Sequence, residues 1–584
     1  MKQTTRWVVL ILLFHLALTL AYSMVNPLGE APDEADHWAY IVHLANERAL
    51  PVGPRITQSK HPPLYHATAA AVASLGEPVN DFLRANPDVQ FQPASDWSPN
   101  FFVHTTLEAM PWRGGALAFH LVRLWSVLLS TLTVAATYAL ARAAFPVAPW
   151  VALAAAALLA GIPEFAFIGG AANNDNAAAL FGTLALWGGV AIMRSEGRVR
   201  AGWWTPLALG LGLLSKTSTL GVWPAVGVAI VAGAVAAHDP AATRPGAWLR
   251  AAAASWRRWL VTGLWVGVPA LLVAAPWFLR NWRLYGDPLG MALARQTIDV
   301  RTTPWTGADT WWLLRGWFVS FWGKFGGAGH IPMAGWIYVL LAALSALAVV
   351  GLVRLVIARR PQFPRDAVWV LLLALGGVAL VMWRYSLVAL GTDQGRLLFP
   401  AVGAIVTLLA AGWLALIPPR RQGIGVAAIA GMTAALGLYG LLGVIRPAFA
   451  PPSPATVVNP VEPVRFGDLT LVGVDLDART VLYWQLDAQG GADYRTVLRV
   501  VAPDGTLVWE WRRSPGAGRF STDRWPPGYV MRDAYAIRWP EWAGPGAYLV
   551  EVGVQPFGEE LLMPNDTGVH PYAPLGTLEY TPVQ

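Results

Sequence analysis

Apolar runs of about 20 residues recur along this chain, and each is long enough to cross a bilayer. The first is Trp7 to Val25, WVVLILLFHLALTLAYSMV, preceded by Lys2 and Arg6. Only 13% of the 584 residues are charged, against roughly 25% in soluble domains. A chain so built must be a polytopic α-helical membrane protein. It has no cysteine, which excludes disulfides and thiolate metal sites. The net charge of +7 does not call for a nucleic-acid partner, because arginines between apolar runs report membrane orientation.

Periodicity and length predict about eleven spans, at 7–25, 117–140, 147–166, 176–193, 203–215, 217–236, 259–279, 335–357, 367–384, 397–417 and 423–445. The first apolar run also has the look of a signal peptide. It is long for one and lacks a clear small-residue cleavage site, so it reads as a span with a cytoplasmic N-terminus. The pair 203–215 and 217–236 could be one tilted helix, which would invert everything after it. Basic loops arbitrate. With a break at "LLSKTS", Arg142, Arg194, Arg198, Arg200, Arg244, Arg250, Arg257, Arg258, Arg354, Arg359, Arg360, Arg365, Arg420 and Arg421 all fall on one side, as the positive-inside bias requires. The other side then holds a long first loop at 26–116, a turn at 163–175, a loop at 280–334, a turn at 385–396 and the C-terminal tail. The membrane domain is expected over 1–446, a Pro-rich linker over 447–463, and a β-sandwich over 464–584. Runs such as "TVLYWQL" and "AYLVEVGV" alternate with period two between turn signals.

Charge is scarce, so its concentration in "GEAPDEADHWAY", Gly29 to Tyr40, stands out. Pro32 suits a helix start, and Asp33, Glu34 and Asp36 suit the positive end of its dipole; the cluster can be read as no more than that. Asp33 and His37 are four apart and share a face. Trp38, Ile41, Leu44 and Ala45 form an apolar face, as in a helix lying flat on a membrane. A second short helix is expected after "QSKHPPLYHATAAAVASLG", which makes two interfacial helices in the first outer loop.

An acidic "PDE" start, an interfacial helix and then "K-x-PPL" resemble the GT-C membrane glycosyltransferases. Protein O-mannosyltransferases, the aminoarabinose transferases that modify lipid A, and their bacterial relatives are the nearest kinds. "AANNDNAAAL", "GLLSKTSTLG", "APWFLRNWRLYGDPLG" and "QGRLLFPA" continue the likeness along the membrane part. The resemblance implies a GT-C-like fold and a sugar donor on a polyprenyl phosphate. It also implies transfer at the outer face of a bacterial cytoplasmic membrane, to an acceptor that is protein, lipid or polysaccharide. An acid early in the first outer loop serves these families as base; Asp33 occupies that place and Glu34 adjoins it. The aspartates of "DEAD" are separated by two residues, so there is no D-x-D triplet. No cofactor is expected, and a divalent cation is unsupported.

The departing lipid phosphate calls for cations. Lys60 heads "K-x-PPL"; Arg396 opens a span on the outer side; Arg280 and Arg283 break the positive-inside pattern. Each also has a bland reading, as a snorkelling side chain or helix anchor. Lys216 reads at least as well as a helix terminator, and Glu164 as a helix-end residue. His37, His61, Asn173, Asn174, Asp175, Asn281, Asp393 and Gln394 are candidate substrate contacts; Asn173 or Asn174 could equally be a helix N-cap. The competing function is a non-enzymatic membrane protein of the same architecture, a lipid-linked sugar transporter or complex subunit. Ionisable residues gathered at the outer ends of spans, rather than at mid-membrane, favour an enzyme.

Overall fold

In the computed structural model, the described residues are 2–92, 97–358, 363–477, 479–487, 491–567 and 570–581. Arg359 and Arg360 lie outside them. The chain forms a multi-pass α-helical membrane protein with a β-domain. A first helix, α1 (Lys2–Val25), leads into a loop carrying α2 (Glu34–Glu47) and α3 (Leu64–Ala73). Next come α4 (Gly114–Ala144), α5 (Pro149–Gly161), α6 (Pro163–Gly169), α7 (Asp175–Arg194), α8 (Thr205–Ser215) and α9 (Trp223–His238). They are followed by α10 (Pro245–Ala254), α11 (Trp256–Tyr285), α12 (Met291–Ala294), α13 (Gly307–Trp322) and a hairpin of β1 (Lys324–Phe325) and β2 (Ile331–Pro332). The last helices are α14 (Gly335–Ala358), α15 (Arg365–Ser386), α16 (Val402–Leu416), α17 (Gln422–Tyr439) and α18 (Arg446–Ala448).

Among the described residues nine helical segments are long and apolar enough to cross a membrane, or ten with α5 and α6 taken as one span bent by 64°. The bend corrects the straight span expected at 147–166. Pro163 removes a backbone donor, and the chain turns there. The eleventh expected span is α8, whose 11 residues reach only about 16 Å. It nonetheless runs back along α7. Thr205 packs on Gly188, near the far end of α7, and the Ser215 carbonyl accepts from Asn174 Nδ2 at the near end. The chain reverses at Lys216 and returns through a 3-10 segment, Thr217–Val222, into α9, with Val226 against Gly189 and Gly233 against Gly197. Two helices rather than one therefore occupy 203–236.

Small residues let the spans approach closely. A Cβ at Gly182 would meet the Pro400 carbonyl, and Gly351 and Gly412 face each other where α14 crosses α16. The 280–334 region, expected as a loop, is largely ordered. A Thr306–Asp309 capping box starts α13, and its Leu313, Trp317, Phe321 and Trp322 are buried in the main core. The α2 face also differs from expectation. Trp38 and Ile41 are fully buried against Tyr65, Ala69, Phe119 and Val122, so they meet α3 and α4 rather than lipid.

The C-terminal region contains β3 (Pro460–Phe466), β4 (Leu469–Asp475), β5 (Arg479–Leu486), β6 (Tyr494–Val501), β7 (Leu507–Arg513), β8 (Val530–Ala536), β9 (Gly546–Pro556) and β10 (Ala573–Tyr580). They make two antiparallel sheets, ordered β10-β9-β6-β7 and β3-β4-β5-β8, around Phe466, Trp484, Leu498 and Val552. The first strand begins within the expected linker, since Pro460 and Pro463 are tolerated on an edge strand. The sandwich sits on the first loop. Arg84 pairs with Asp493, Asn86 Nδ2 donates to the Ala517 carbonyl at 2.9 Å, and Thr106 donates to Asp523.

Seven crossings separate the turn at Gly197 from the β-domain when the chain reverses at Lys216. Reporters inserted at Glu196–Gly197 and at Asp504–Gly505 are therefore expected on opposite sides of the membrane. A same-side result would contradict the reversal.

Candidate active site

At the end of the helix bundle that faces the β-domain, four charged side chains alternate in sign. Arg396 Nη2 donates to Asp33 Oδ2 at 2.6 Å, and its Nη1 donates to Asp175 Oδ2 at 2.7 Å. Lys216 Nζ donates to the other Asp175 oxygen at 2.5 Å. Arg396 Nε donates to Gln394 Oε1 at 2.7 Å. Each member comes from a different break in regular structure. Asp33 precedes α2, Asp175 opens α7, Lys216 ends α8, and Arg396 lies in the 3-10 turn Gly395–Ala401 before α16. Asp175 is fully buried and Arg396 nearly so, whereas the Asp33 side chain is 45% exposed. The row thus begins at solvent and ends in the protein.

Asp33 is held in the left-handed region, φ 60° and ψ 5°, and its side chain makes no capping bond to α2. That conformation costs on the order of 1–2 kcal/mol, less for Asp than for most residues. It points the carboxylate at Arg396 instead of at the helix it precedes. Burial alone would raise its pKa, but Arg396 and, more weakly, Lys216 hold it well below the usual carboxylate range. Asp36 moves the other way, raised by burial and by Asp33.

Glu34 is elsewhere in function. It is fully buried and accepts from Arg123 Nε at 2.8 Å, Arg123 Nη2 at 2.7 Å, Ala172 N at 2.8 Å, Gly29 N at 3.1 Å and Ala31 N at 3.4 Å. No lone pair is left to take a proton from a substrate, which corrects its expected role as a second base. Arg123 spends its remaining N–H groups on the carbonyls of Ser23, Asn26 and Pro27. Sequence reading passed over Arg123. The available signal was a full charge inside an apolar span.

The asparagine turn is also structural. Asn173 Nδ2 donates to the Pro32 carbonyl at 3.0 Å while its Oδ1 accepts from Asp175 N at 2.9 Å; Asn174 ties to Ser215. Asn173 thus aims Asp175, whereas Asn174 Oδ1 is buried without a partner. Asn174 is the cap residue by position, without a side-chain capping bond. Glu164, expected as a satisfied helix-end residue, accepts from Lys324 N at 2.9 Å.

Lys60 lies half-buried beside the row. Its Nζ donates to the Thr57 carbonyl at 3.0 Å and reaches that of Thr297 at 3.5 Å. Burial lowers its pKa, against the fields of Asp33 and Asp36. Three donors and two carbonyls leave one N–H for an anion. His37 and His66 are joined ring to ring at 2.8 Å. Burial brings His37 down to about 3, and it pushes His61 and His66 down as well, so these rings are neutral. Asn281 is buried and braces the turn at Gly290, which also borders Lys60. Arg280 donates to the Pro51 carbonyl at 2.7 Å and leaves Nη1 buried without a partner. Arg283 is exposed and outside the row, and Asp393 packs on Gly316 of α13. Among the described residues no group of three or more His, Cys, Asp or Glu side chains is placed to hold a metal ion.

Behind Asp33, Glu30 accepts from the backbone of Phe101 and Phe102 and from His104 Nε2 at 3.1 Å, while His104 Nδ1 meets Glu108 at 2.9 Å. Burial opposes protonation of His104, but Glu108 and Glu30 outweigh it and raise its pKa to about 9.

Residues 117–253 match the family model described as dolichyl-phosphate-mannose-protein mannosyltransferase. The matched segment carries Arg123, Asp175 and Lys216, so the likeness expected from the motifs falls on the site. No curated protein matches. Among solved structures, the chain is similar to ArnT from Cupriavidus metallidurans bound to undecaprenyl phosphate, at 17% identity and TM-score 0.42, over 73% of this chain and 64% of that one. It is similar to the Saccharomyces cerevisiae Pmt1–Pmt2 complex bound to its sugar donor, at 18% identity and TM-score 0.33, over 48% of this chain and 34% of that one. The Archaeoglobus fulgidus oligosaccharyltransferase gives 13% identity and TM-score 0.39, over 76% and 55%. The chain spans less than two thirds of the length of each.

Two outcomes follow from the geometry. Glu34→Gln leaves Arg123 buried and half-paired, a loss worth about 3–5 kcal/mol, so it should lower the melting temperature in detergent far more than Asp33→Asn does. Equal melting temperatures would contradict the division of roles. A histidine raised to about 9 stabilises fully below its unfolded value near 6.5, and that contribution is lost as pH rises through 9. The melting-temperature gap between wild type and His104→Asn should therefore be largest near pH 6 and close above pH 9.

Proposed function

We propose that this chain is a glycosyltransferase that moves one sugar from a polyprenyl-phosphate donor to an acceptor at the outer face of a bacterial cytoplasmic membrane, with Asp33 as general base. The observation that carries the reading is the half-exposed Asp33 carboxylate, kept ionised at the open end of a buried row of charges. Attack at the anomeric carbon requires the acceptor hydroxyl to lose its proton as the lipid phosphate departs. Asp33 Oδ2 is bonded to Arg396, and Oδ1 is free to accept that proton. A carboxylate of low pKa is a weak base, yet the hydroxyl acidifies as the new bond forms. Positioned base catalysis of this kind contributes about 10²–10⁴ in rate. The departing phosphate gains charge, and Lys60, which lies within the field of Asp33 and has an N–H to spare, is the cation we assign to meet it. Arg396 is already shared between Asp33 and Asp175, so its part is to fix the base and carry positive potential.

The match of 117–253 to a mannosyltransferase family model supports a lipid-phosphate sugar donor. A transporter would need ionisable groups along a path through the bilayer, whereas Asp33, Asp175, Lys216 and Arg396 meet at one end of the bundle. The reading requires no cofactor.

A transfer assay in membranes, with a panel of radiolabelled polyprenyl-phosphate sugars, tests it. Asp33→Asn should keep donor binding and lower transfer at least about a hundredfold. Lys60→Ala removes one charge-assisted contact, worth roughly 1.5–3 kcal/mol, and should cost about ten- to a hundredfold in kcat/KM. Near-normal turnover in both well-expressed variants would overturn the assignment.

A further inference from the structure

A cleft on the β-domain takes no part in the chemistry above. The edge strands β7 and β8 lie on the same side of the sandwich, and the gap between them opens into a cleft of about 1030 Å³. Residues 87–90 of the first loop and the linker at 447–455 border it. That volume is at the upper end of the ~300–1,000 Å³ usual for small-molecule sites, room for a chain of several rings rather than one.

Its chemistry is one-sided. Arg479, Arg513, Arg519, Arg532 and Arg538 line the cleft, against Asp88 as the only lining carboxylate among the described residues. Arg513 has a carboxylate partner in Asp533 at 2.6 Å, although its Nε is buried without one. Among the described residues Arg519 has no carboxylate partner. Its Nη2 reaches only the Ala450 carbonyl, at 3.4 Å, and its Nε is buried without a partner. Arg538 is exposed at the rim. Two indoles, Trp509 and Trp511, stand two residues apart on β7 and so on one face of the strand. Trp511 is pinned by donating its Nε1–H to Asp88 Oδ1 at 3.0 Å.

We propose that this cleft binds an anionic saccharide, a chain bearing carboxylates or phosphates, and thereby holds the acceptor of the transfer reaction; the word acceptor rests on the function proposed above. Guanidinium forks match carboxylate and phosphate in a paired geometry. Indoles offer rigid apolar surface to the C–H faces of sugar rings. An acidic peptide would meet the same charge, but its usual route is to add a strand to an open sheet edge. Here Ala455 of the linker already bonds to Val530 of β8 at 2.9 Å, and Asp88 of the loop occupies the β7 side. The cleft also communicates with the catalytic end. Residues 84–86 pair with 101–103, whose backbone Glu30 holds three positions before Asp33.

Isothermal titration of the purified full chain in detergent tests this, using oligogalacturonate, a phosphomannan fragment, a neutral maltooligosaccharide of equal length and polyglutamate. At least one anionic saccharide should bind at least tenfold more tightly than the neutral sugar and the peptide. Which of the two binds identifies carboxylate or phosphate as the recognised group. Arg519→Gln with Arg538→Gln should weaken that binding at least tenfold. Arg538→Gln alone, at an exposed position, should weaken it about threefold with an unchanged melting temperature. The proposal is overturned if neither anionic saccharide binds, if maltooligosaccharide or polyglutamate binds as tightly, or if the double variant binds normally. Binding needs no turnover, so a chain that binds the saccharide but transfers no sugar would defeat the catalytic reading alone.

Discussion

The buried pair of Glu34 and Arg123 sets the geometry of everything around it. All five guanidinium N–H groups are used, on one carboxylate and three carbonyls, and the same carboxylate accepts three backbone amides. Two charges taken out of water cost several kcal/mol each unless the shell around them is complete. Completing it requires the end of α1, the turn at 26–31, the start of α2, the middle of α4 and the residue before the asparagine turn to be in one place. Specificity of fold, more than net stability, is what such a pair supplies. With Glu34 fixed, Asp33 has little freedom. Its backbone is driven into the left-handed region, and its side chain leaves the helix it precedes.

Where Asp33 then points is decided by a second buried carboxylate. Asp175 between Arg396 and Lys216 neutralises one positive charge and leaves the row of four with no net charge while Asp33 is ionised. Protonating Asp33 would leave an uncompensated cation in a low-dielectric surround, which is why its pKa falls. That arrangement suits the proposed role of Asp33, a base that must stay ionised, where a lone buried carboxylate would be protonated. The cost is weak intrinsic basicity. The compensation is placement, because the Asp33 side chain remains partly exposed at the open end of the row.

Much of this was legible in the sequence, for reasons that differ by element. The spans announce themselves by length and hydropathy. The reversal at Lys216 follows from arginines on the opposite face, whose charges a membrane sorts. The sandwich strands follow from alternation, although β3 was hidden by prolines that an edge strand accepts. Asp33, Asp175 and Arg396 were found because charge is rare in such a chain. What could not be read was the division of labour between Asp33 and Glu34. Adjacent acids in one turn look alike until Arg123, 89 positions away, selects one of them. The asparagines were ambiguous for a similar reason: amides that suit sugars suit backbone carbonyls equally, and only the positions of Pro32 and Ser215 show which carbonyls their Nδ2 groups reach. Trp38 and Ile41 were given to the membrane because periodicity shows that a face is apolar and is silent on whether lipid or protein covers it.

The same accounting explains why the β-domain is seated where it is. Its contacts with the first loop are polar and paired: Arg84 with Asp493, Asn86 with Ala517, Thr106 with Asp523, Asp88 with Trp511. Polar interfaces of this kind within a chain are typical of units that keep some independence, so a rigid hydrophobic seam is not what joins the two parts. The loop that receives these contacts is itself anchored by Glu30, through Phe101, Phe102 and His104, and Glu30 lies one turn of chain from Asp33. Any load placed on the domain therefore reaches the segment that positions the base through backbone hydrogen bonds, without crossing the bundle. In this chain the single loop that carries Asp33 at one end supplies the wall of the outer cleft at the other.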